Sequence, residues 1–170
     1  PSTKTDYIMI VKLEQRIETR EDVSALSVRL TGDYKNVDYS GAWEKIVSYC
    51  KKENRVGCID AEYISVYLDD PTTTPAEKCR VDVGIAAPEL NGLPPEGEVR
   101  VGTLEGGKFI VFLHKGPYTE LGQVYEEVYG HLLQENGVEV LPKAMFEKYL
   151  NDPALTKPED LLTELWIPIA

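Results

Sequence analysis

Tyr67-Leu68-Asp69-Asp70-Pro71 returns later in the chain as Tyr149-Leu150-Asn151-Asp152-Pro153, a separation of 149 − 67 = 82 residues. At the same offset Thr74 meets Thr156, Glu77 meets Glu159 and Ile85 meets Ile167. Upstream, Trp43-Glu44 meets Tyr125-Glu126, and Glu53-Asn54 meets Glu135-Asn136. Gly32-Asp33-Tyr34 faces Gly116-Pro117-Tyr118 at an offset of 84, so the second copy has a loop two residues shorter. One offset sustained over so much chain marks an internal duplication, and the duplication decides the fold class.

Each copy reads as strand–helix–strand–strand. In the first, Ile8 to Ile17 and Val23 to Leu30 are β-branched and apolar runs of strand type. A helix is predicted from about Tyr39 to Glu53, with Trp43, Ile46, Val47 and Cys50 at i, i+3, i+4 and i+7 on one face. Tyr125, Val128, Tyr129 and Leu132 repeat that stripe; Thr119 is the expected N-cap there, and Asn136-Gly137 the expected stop. Two strands follow each helix: Glu62 to Leu68 with Lys78 to Ala86, and Ala144 to Leu150 with Leu161 to Ile169. Glu98 to Leu104 and Lys108 to Leu113 read as a hairpin around Glu105-Gly106-Gly107. One helix over about four strands is too little core for either half to stand alone. The expected fold is therefore α+β: two pseudo-twofold-related repeats forming one antiparallel sheet with the helices packed on it. We divide the single domain, 1–170, into a first repeat of about 7–87, a linker of about 88–97 rich in Pro and Gly, and a second repeat of about 98–170. The axis leaves a seam between the halves, a common place for a ligand.

Composition narrows the function. Apolar residues make up 42% and charged residues 28%, an ordinary globular balance, and no apolar run approaches the roughly 20 residues that span a bilayer. The formal charge of −11 repels phosphate backbones and argues against direct nucleic-acid binding. An odd count of three cysteines (Cys50, Cys58 and Cys79) with no secretory leader predicts reduced thiols and a cytoplasmic protein. Gly102 to Lys108 spells G-x-x-x-x-G-K, yet Phe109 follows and a strand, not a helix, comes next, so a phosphate loop is not expected. His114 and His131 stand far apart and no C-x-x-C occurs, so no metal or other cofactor is predicted.

The informative chemistry is aromatic. Ten tyrosines and two tryptophans outnumber three phenylalanines, and aromatics with a polar edge suit half-wet pockets. Met145-Phe146-Glu147-Lys148-Tyr149 aligns with Tyr63-Ile64-Ser65-Val66-Tyr67, so Glu147 replaces Ser65. Strand alternation sets Glu147 on one face with Met145 and Tyr149, a carboxylate between apolar and aromatic neighbours. Such a group, if buried, is costly and tends to be kept where its charge is used. Alternation in the first half would turn Ile64, Val66 and Leu68 inward, and the pattern leaves open which face Glu147 occupies.

Three blocks carry a resemblance: Tyr67 to Pro71 with Thr74 to Asp82; Leu141-Pro142-Lys143-Ala144-Met145-Phe146-Glu147-Lys148-Tyr149-Leu150-Asn151; and the closing Thr163-Glu164-Leu165-Trp166-Ile167-Pro168-Ile169. They resemble, in order and over nearly the whole chain, the GyrI-like (gyrase-inhibitor-like) effector-binding domains, which are related to the ligand-binding ends of multidrug-responsive transcription regulators. The resemblance implies that Glu147 faces bound cations, with pocket aromatics from Trp43 and Tyr63. Tyr125 joins them by its symmetry with Trp43, and Tyr149 as a neighbour of Glu147. No helical DNA-binding domain precedes the first strand, so direct control of transcription by this chain is not expected.

The leading expectation is thus a stand-alone module for bulky aromatic, cationic, drug-like ligands, bound between the repeats by Trp43, Tyr63, Tyr125, Glu147 and Tyr149, with no catalytic residues. The family also implies two alternatives. One is hydrolysis of strained cyclopropane-containing toxins, with Glu147 as general base. The other is a protein partner, such as a topoisomerase that the chain protects or a regulator. No membrane partner is expected.

Overall fold

Two hydrophobic periods build this chain. The computed structural model describes residues 13–52, 58 and 60–170. In these it has strands β1 (Glu14–Arg20), β2 (Val23–Thr31), β3 (Glu62–Tyr67), β4 (Arg80–Ala86), β5 (Val99–Leu104), β6 (Gly107–Lys115), β7 (Met145–Tyr149) and β8 (Leu162–Pro168). Helix α1 spans Tyr39–Lys51, between β2 and β3. Helix α2 starts as Leu121–Glu127, widens into a π-helical turn at Val128–Leu132 and closes at Leu133–Glu135. The parts of the predicted first strand before Leu13 and of the predicted first helix at Glu53 lie outside the described residues.

Local chemistry sets the helix ends. Asp38 caps α1, its Oδ1 accepting the Gly41 N–H at 3.0 Å, where a carboxylate also meets the positive end of the helix dipole. Thr119 does not cap the second helix. It sits inside a 3₁₀ turn, Tyr118–Glu120, that feeds α2 with no side-chain cap. Gly137 ends that helix as expected, with φ +63° and its N–H on the Gln134 carbonyl.

The strands form one antiparallel sheet in the order β1-β6-β8-β7-β3-β4-β2-β5, which the duplication makes palindromic: β6, α2, β7 and β8 mirror β2, α1, β3 and β4. The expected hairpin at Glu105-Gly106-Gly107 is corrected by this order. β5 and β6 follow one another but do not pair: β5 pairs with β2, and β6 pairs with β1. Each half lends its first strand to the other.

That exchange forces the sheet to roll. Six strand spacings of about 4.8 Å would separate β5 from β6 in a flat sheet, roughly 29 Å, while the three peptide steps from Leu104 to Gly107 reach only about 11 Å. The two short links, at Glu21-Asp22 and Glu105-Gly106, meet where the roll closes, and Asp22 Oδ1 accepts the Gly106 N–H at 2.7 Å. A Cβ on Gly106 would lie 2.3 Å from the Arg20 carbonyl oxygen, so only glycine lets the links cross.

Both faces of the central strands are therefore buried. Inside the roll lie Ala25, Ile64, Ala86, Leu104, Phe109, Val111, Phe146 and Trp166. On the outer face α1 covers Leu26, Val28, Val81, Val83 and Ile85, and α2 covers Ile110, Phe112, Leu165 and Ile167. The strand-by-strand alternation of these sets is the period-two pattern that the sequence carries. Cys50 and Cys58 are joined as a disulfide, with Cα atoms 5.9 Å apart, which corrects the expectation of three reduced thiols; Cys79 is free and buried.

Candidate ligand-binding site

The open question of the Glu147 face is decided by β3 and β7. These strands pair in the register Tyr63↔Tyr149, Ser65↔Glu147 and Tyr67↔Met145. Ile64, Val66 and Phe146 point into the roll. Their neighbours Tyr63, Ser65, Tyr67, Met145, Glu147 and Tyr149 share the face that bears the helices. Ser65 and Glu147 are also equivalent under the repeat offset of 82, so the pseudo-twofold axis runs between them. Two glutamates at this paired position would set like charges about 5 Å apart at Cβ, a destabilising arrangement. The Ser/Glu difference avoids it.

Glu147 is buried, 3% exposed, in the gap between α1 and α2. Oε1 accepts the Tyr149 hydroxyl at 2.7 Å and the Tyr67 hydroxyl at 3.1 Å, and Oε2 accepts the Tyr125 hydroxyl. The Tyr149 oxygen also lies 2.8 Å from Ser65 Oγ. A phenol has one proton; with Tyr149 donating to the carboxylate, Ser65 donates to Tyr149. Burial lifts the Glu147 carboxyl above its ordinary value, and the hydrogen bonds from Tyr125, Tyr149 and Tyr67 oppose that rise. Burial, reinforced by the Glu147 charge, drives the hydroxyls of Tyr67, Tyr125 and Tyr149 well above theirs, so they stay protonated donors.

The structure brings together the five residues singled out from sequence. Trp43, on α1, crosses the axis. Its ring is 5.8 Å from Tyr63 and 6.4 Å from Tyr149, tilted and edge-on respectively. Tyr125, the repeat mate of Trp43, instead turns onto Glu147 and onto Met145 Sδ, 3.7 Å away. Tyr63 is 46% exposed at the mouth, while Trp43 and Tyr149 are half-buried.

Sequence reasoning missed Tyr67, Ser65 as a partner of Tyr149, and Tyr118. Tyr118 packs edge-on against Tyr149 at 5.7 Å, and its repeat mate Tyr34 packs edge-on against Tyr67 at 4.9 Å. The duplication held the signal: Tyr67 is Tyr149 shifted by 82, and Tyr34 is Tyr118 shifted by 84. The two lobes nevertheless differ. The Tyr34 hydroxyl is tied to the Asp69 and Arg80 carbonyls at 2.9 and 2.8 Å, whereas Tyr118 remains 36% exposed. The lobe of Trp43, Tyr63, Tyr118 and Tyr149 thus keeps accessible rings; in the other, Tyr129, stacked on Tyr125, is 44% exposed.

Other chemistry is sparse. Among the described residues no three His, Cys, Asp or Glu side chains gather in a metal-binding cluster. His131 is exposed beside Glu127, 3.3 Å away, and His114 is buried with Nε2 3.4 Å from the Pro117 carbonyl. No helix among the described residues is long and apolar enough to cross a membrane. The Gly102–Lys108 stretch is the crossing link with its flanking strand ends, without a helix N-terminus.

Residues 13–170 match the family described as the GyrI-like small molecule binding domain. The chain is 28% identical over 143 residues to the DNA gyrase inhibitor of Escherichia coli strain K12, covering 84% of this chain and 88% of that one. The crystal structure of the EcmrR C-terminal domain superposes with a TM-score of 0.69 at 16% identity, over 94% of this chain and 99% of that chain. A structure of SAV2435 bound to tetraphenylphosphonium superposes with a TM-score of 0.58 at 16% identity, over 92% and 94%. The two superpositions speak to the fold, and the sequence match over nearly the whole chain speaks to descent: the chain belongs to the GyrI-like family of small-molecule-binding domains.

Proposed function

We propose that the chain acts as a single effector-binding domain that takes bulky aromatic organic cations into the cleft between its repeats, on Trp43, Tyr63, Tyr118 and Tyr149, with Glu147 supplying the opposite charge and Tyr125 holding it. The observation that carries this reading is a buried carboxylate, bound by three tyrosine hydroxyls, directly behind half-exposed rings. The charge acts through Tyr149. A phenol that donates to a carboxylate becomes more electron-rich, and its face attracts a cation more strongly. Each desolvated cation–ring contact contributes about 0.5–2 kcal/mol, and burial of ligand and pocket surface adds about 25 cal/mol per Å². Micromolar affinity needs about 8 kcal/mol in all, within reach of three or four rings. That SAV2435 holds tetraphenylphosphonium on the same fold supports this ligand class.

Fluorescence titration tests the reading, with Trp43 at the site as reporter. Saturable micromolar binding of tetraphenylphosphonium, with much weaker binding of neutral triphenylphosphine oxide, is expected. Equal affinity for both would remove the electrostatic part, and no binding of either would remove the whole. Hydrolysis fits the geometry less well. Three of the four lone pairs of the carboxylate already accept tyrosine hydroxyls, which suits a fixed charge more than a base that must take a proton from water. The cytoplasm is the compartment this ligand class favours, because an inside-negative membrane potential draws a monocation inward by about 2.3 kcal/mol per 100 mV.

A further inference from the structure

The Cys50–Cys58 disulfide has a place in the fold that packing alone does not demand. Cys50 lies in the last turn of α1 and Cys58 four residues before β3 begins at Glu62. The bond therefore ties together the two elements that carry Trp43 and Tyr63, whose rings touch at the mouth of the cleft. Trp43 is two helical turns, about 10 Å, from the bond along α1. Both cysteines are partly buried against the core under α1. The duplication supplies an internal control. At the offset of 82, Cys50 and Cys58 correspond to Leu132 and Val140, a pair with no covalent bond; Leu132 packs partly buried against the core under α2, and Val140 is 40% exposed and bridges to Ile169. The same architecture thus stands without a bond at this place in one half and carries a cleavable bond in the other, and the cleavable one is in the half that supplies Trp43. The remaining thiol, Cys79, is 1% exposed and raised by burial, which keeps it out of thiolate chemistry.

We propose that Cys50–Cys58 is a redox switch that sets the rigidity of α1 against β3, and through Trp43 and Tyr63 the ligand affinity of the cleft. The disulfide is the tight state. A dithiol reductant opens it by exchange: one thiolate attacks a protein sulfur, the S–S bond breaks, and the second thiol resolves the mixed disulfide. The protein gains two electrons and two protons as two thiols, and the reductant leaves as its own cyclic disulfide. In a reducing compartment bonds of this kind are typically transient and sensory.

The test compares the full chain, oxidised with diamide and reduced with dithiothreitol, by amide hydrogen exchange and by tetraphenylphosphonium titration. Reduction should speed exchange in Tyr39–Lys51 by about tenfold while α2 keeps its protection, and should weaken the probe about three- to tenfold. A Cys50→Ser/Cys58→Ser variant should match the reduced protein and ignore dithiothreitol. Free Cys50 and Cys58 after diamide treatment, identical exchange in both states, or an equal rise in both helices would each overturn the switch. The affinity arm rests on the cleft reading above. Changed exchange in α1 with no probe binding in either state would sink that reading and leave the switch standing, whereas changed exchange with unchanged affinity would sink the coupling between them.

Discussion

Glu147 concentrates the residue-scale consequences. Burial raises its folded-state value above the ordinary 4.5, so the folded protein holds this proton more tightly than the unfolded chain. The stability this group contributes is complete below the unfolded value and is lost as pH rises through the folded one. Glu147→Gln should remove that loss. The variant should gain stability relative to the parent as pH rises through this window, seen as diverging thermal midpoints. Cation binding should follow the opposite course in the parent, strengthening over the same window as the carboxylate ionises, and Glu147→Gln should be flat. Above this window the variant should weaken tetraphenylphosphonium at least about tenfold, about 1.4 kcal/mol, and change a neutral ligand of equal size less than about twofold. Tyr149→Phe keeps the ring but removes a charge-assisted hydrogen bond of about 1.5–3 kcal/mol. Its carboxyl should titrate at higher pH than the parent's, visible as a shifted pH profile of cation binding.

At the scale of elements, the two crossing links between β1 and β2 and between β5 and β6 are the tightest constraint. Gly106→Ala would push a Cβ to 2.3 Å from the Arg20 carbonyl oxygen and 2.5 Å from the Glu21 carbonyl carbon. The backbone must shift, at a cost of about 1–3 kcal/mol, lowering the thermal midpoint by about 2–4 °C per kcal/mol. Gly102→Ala, four residues earlier on β5 in open space, should stay within about 0.5 kcal/mol of the parent in the same melt. The elements themselves were readable in advance because their periods are local. The stripe Trp43, Ile46, Val47 and Cys50 marked α1, and the β-branched runs marked β2 to β4. Thr119 misled because a 3₁₀ turn satisfies the first donors of the second helix before a side-chain cap is needed. The apparent hairpin misled because a short link looks the same in sequence whether its strands pair with each other or part to different partners.

For the whole molecule, strand exchange makes the halves interdependent. β1 finds its partner β6 in the second repeat, and β5 finds β2 in the first. A fragment of either half would expose an unpaired strand and the large aromatics inside the roll. Residues 98–170 expressed alone should therefore show no cooperative thermal transition and rapid amide exchange, and a cooperative melt would argue that the exchange is dispensable. The same closure explains why the site sits where it does. Rolling the sheet buries Ile64 and Phe146 on one face of β3 and β7, and the two helices leave the strip along the axis open on the other.

The duplication, the fold class and the acid among aromatics were all present in the sequence, because repeat offsets and hydrophobic periods are properties of neighbours along the chain. Trp43, Tyr63 and Glu147 could be named from the family resemblance, Tyr125 from its symmetry with Trp43, and Tyr149 from its place beside Glu147. Their convergence could not. Which face Glu147 takes depends on which core the alternating partners fill, and both faces of the central strands are buried. That Tyr67 completes the hydroxyl cage, that Tyr118 walls the open lobe and that Cys50 meets Cys58 depend on distances between elements. Those distances are set by the roll of the sheet, and the roll arises only when each repeat closes on the strand lent by the other.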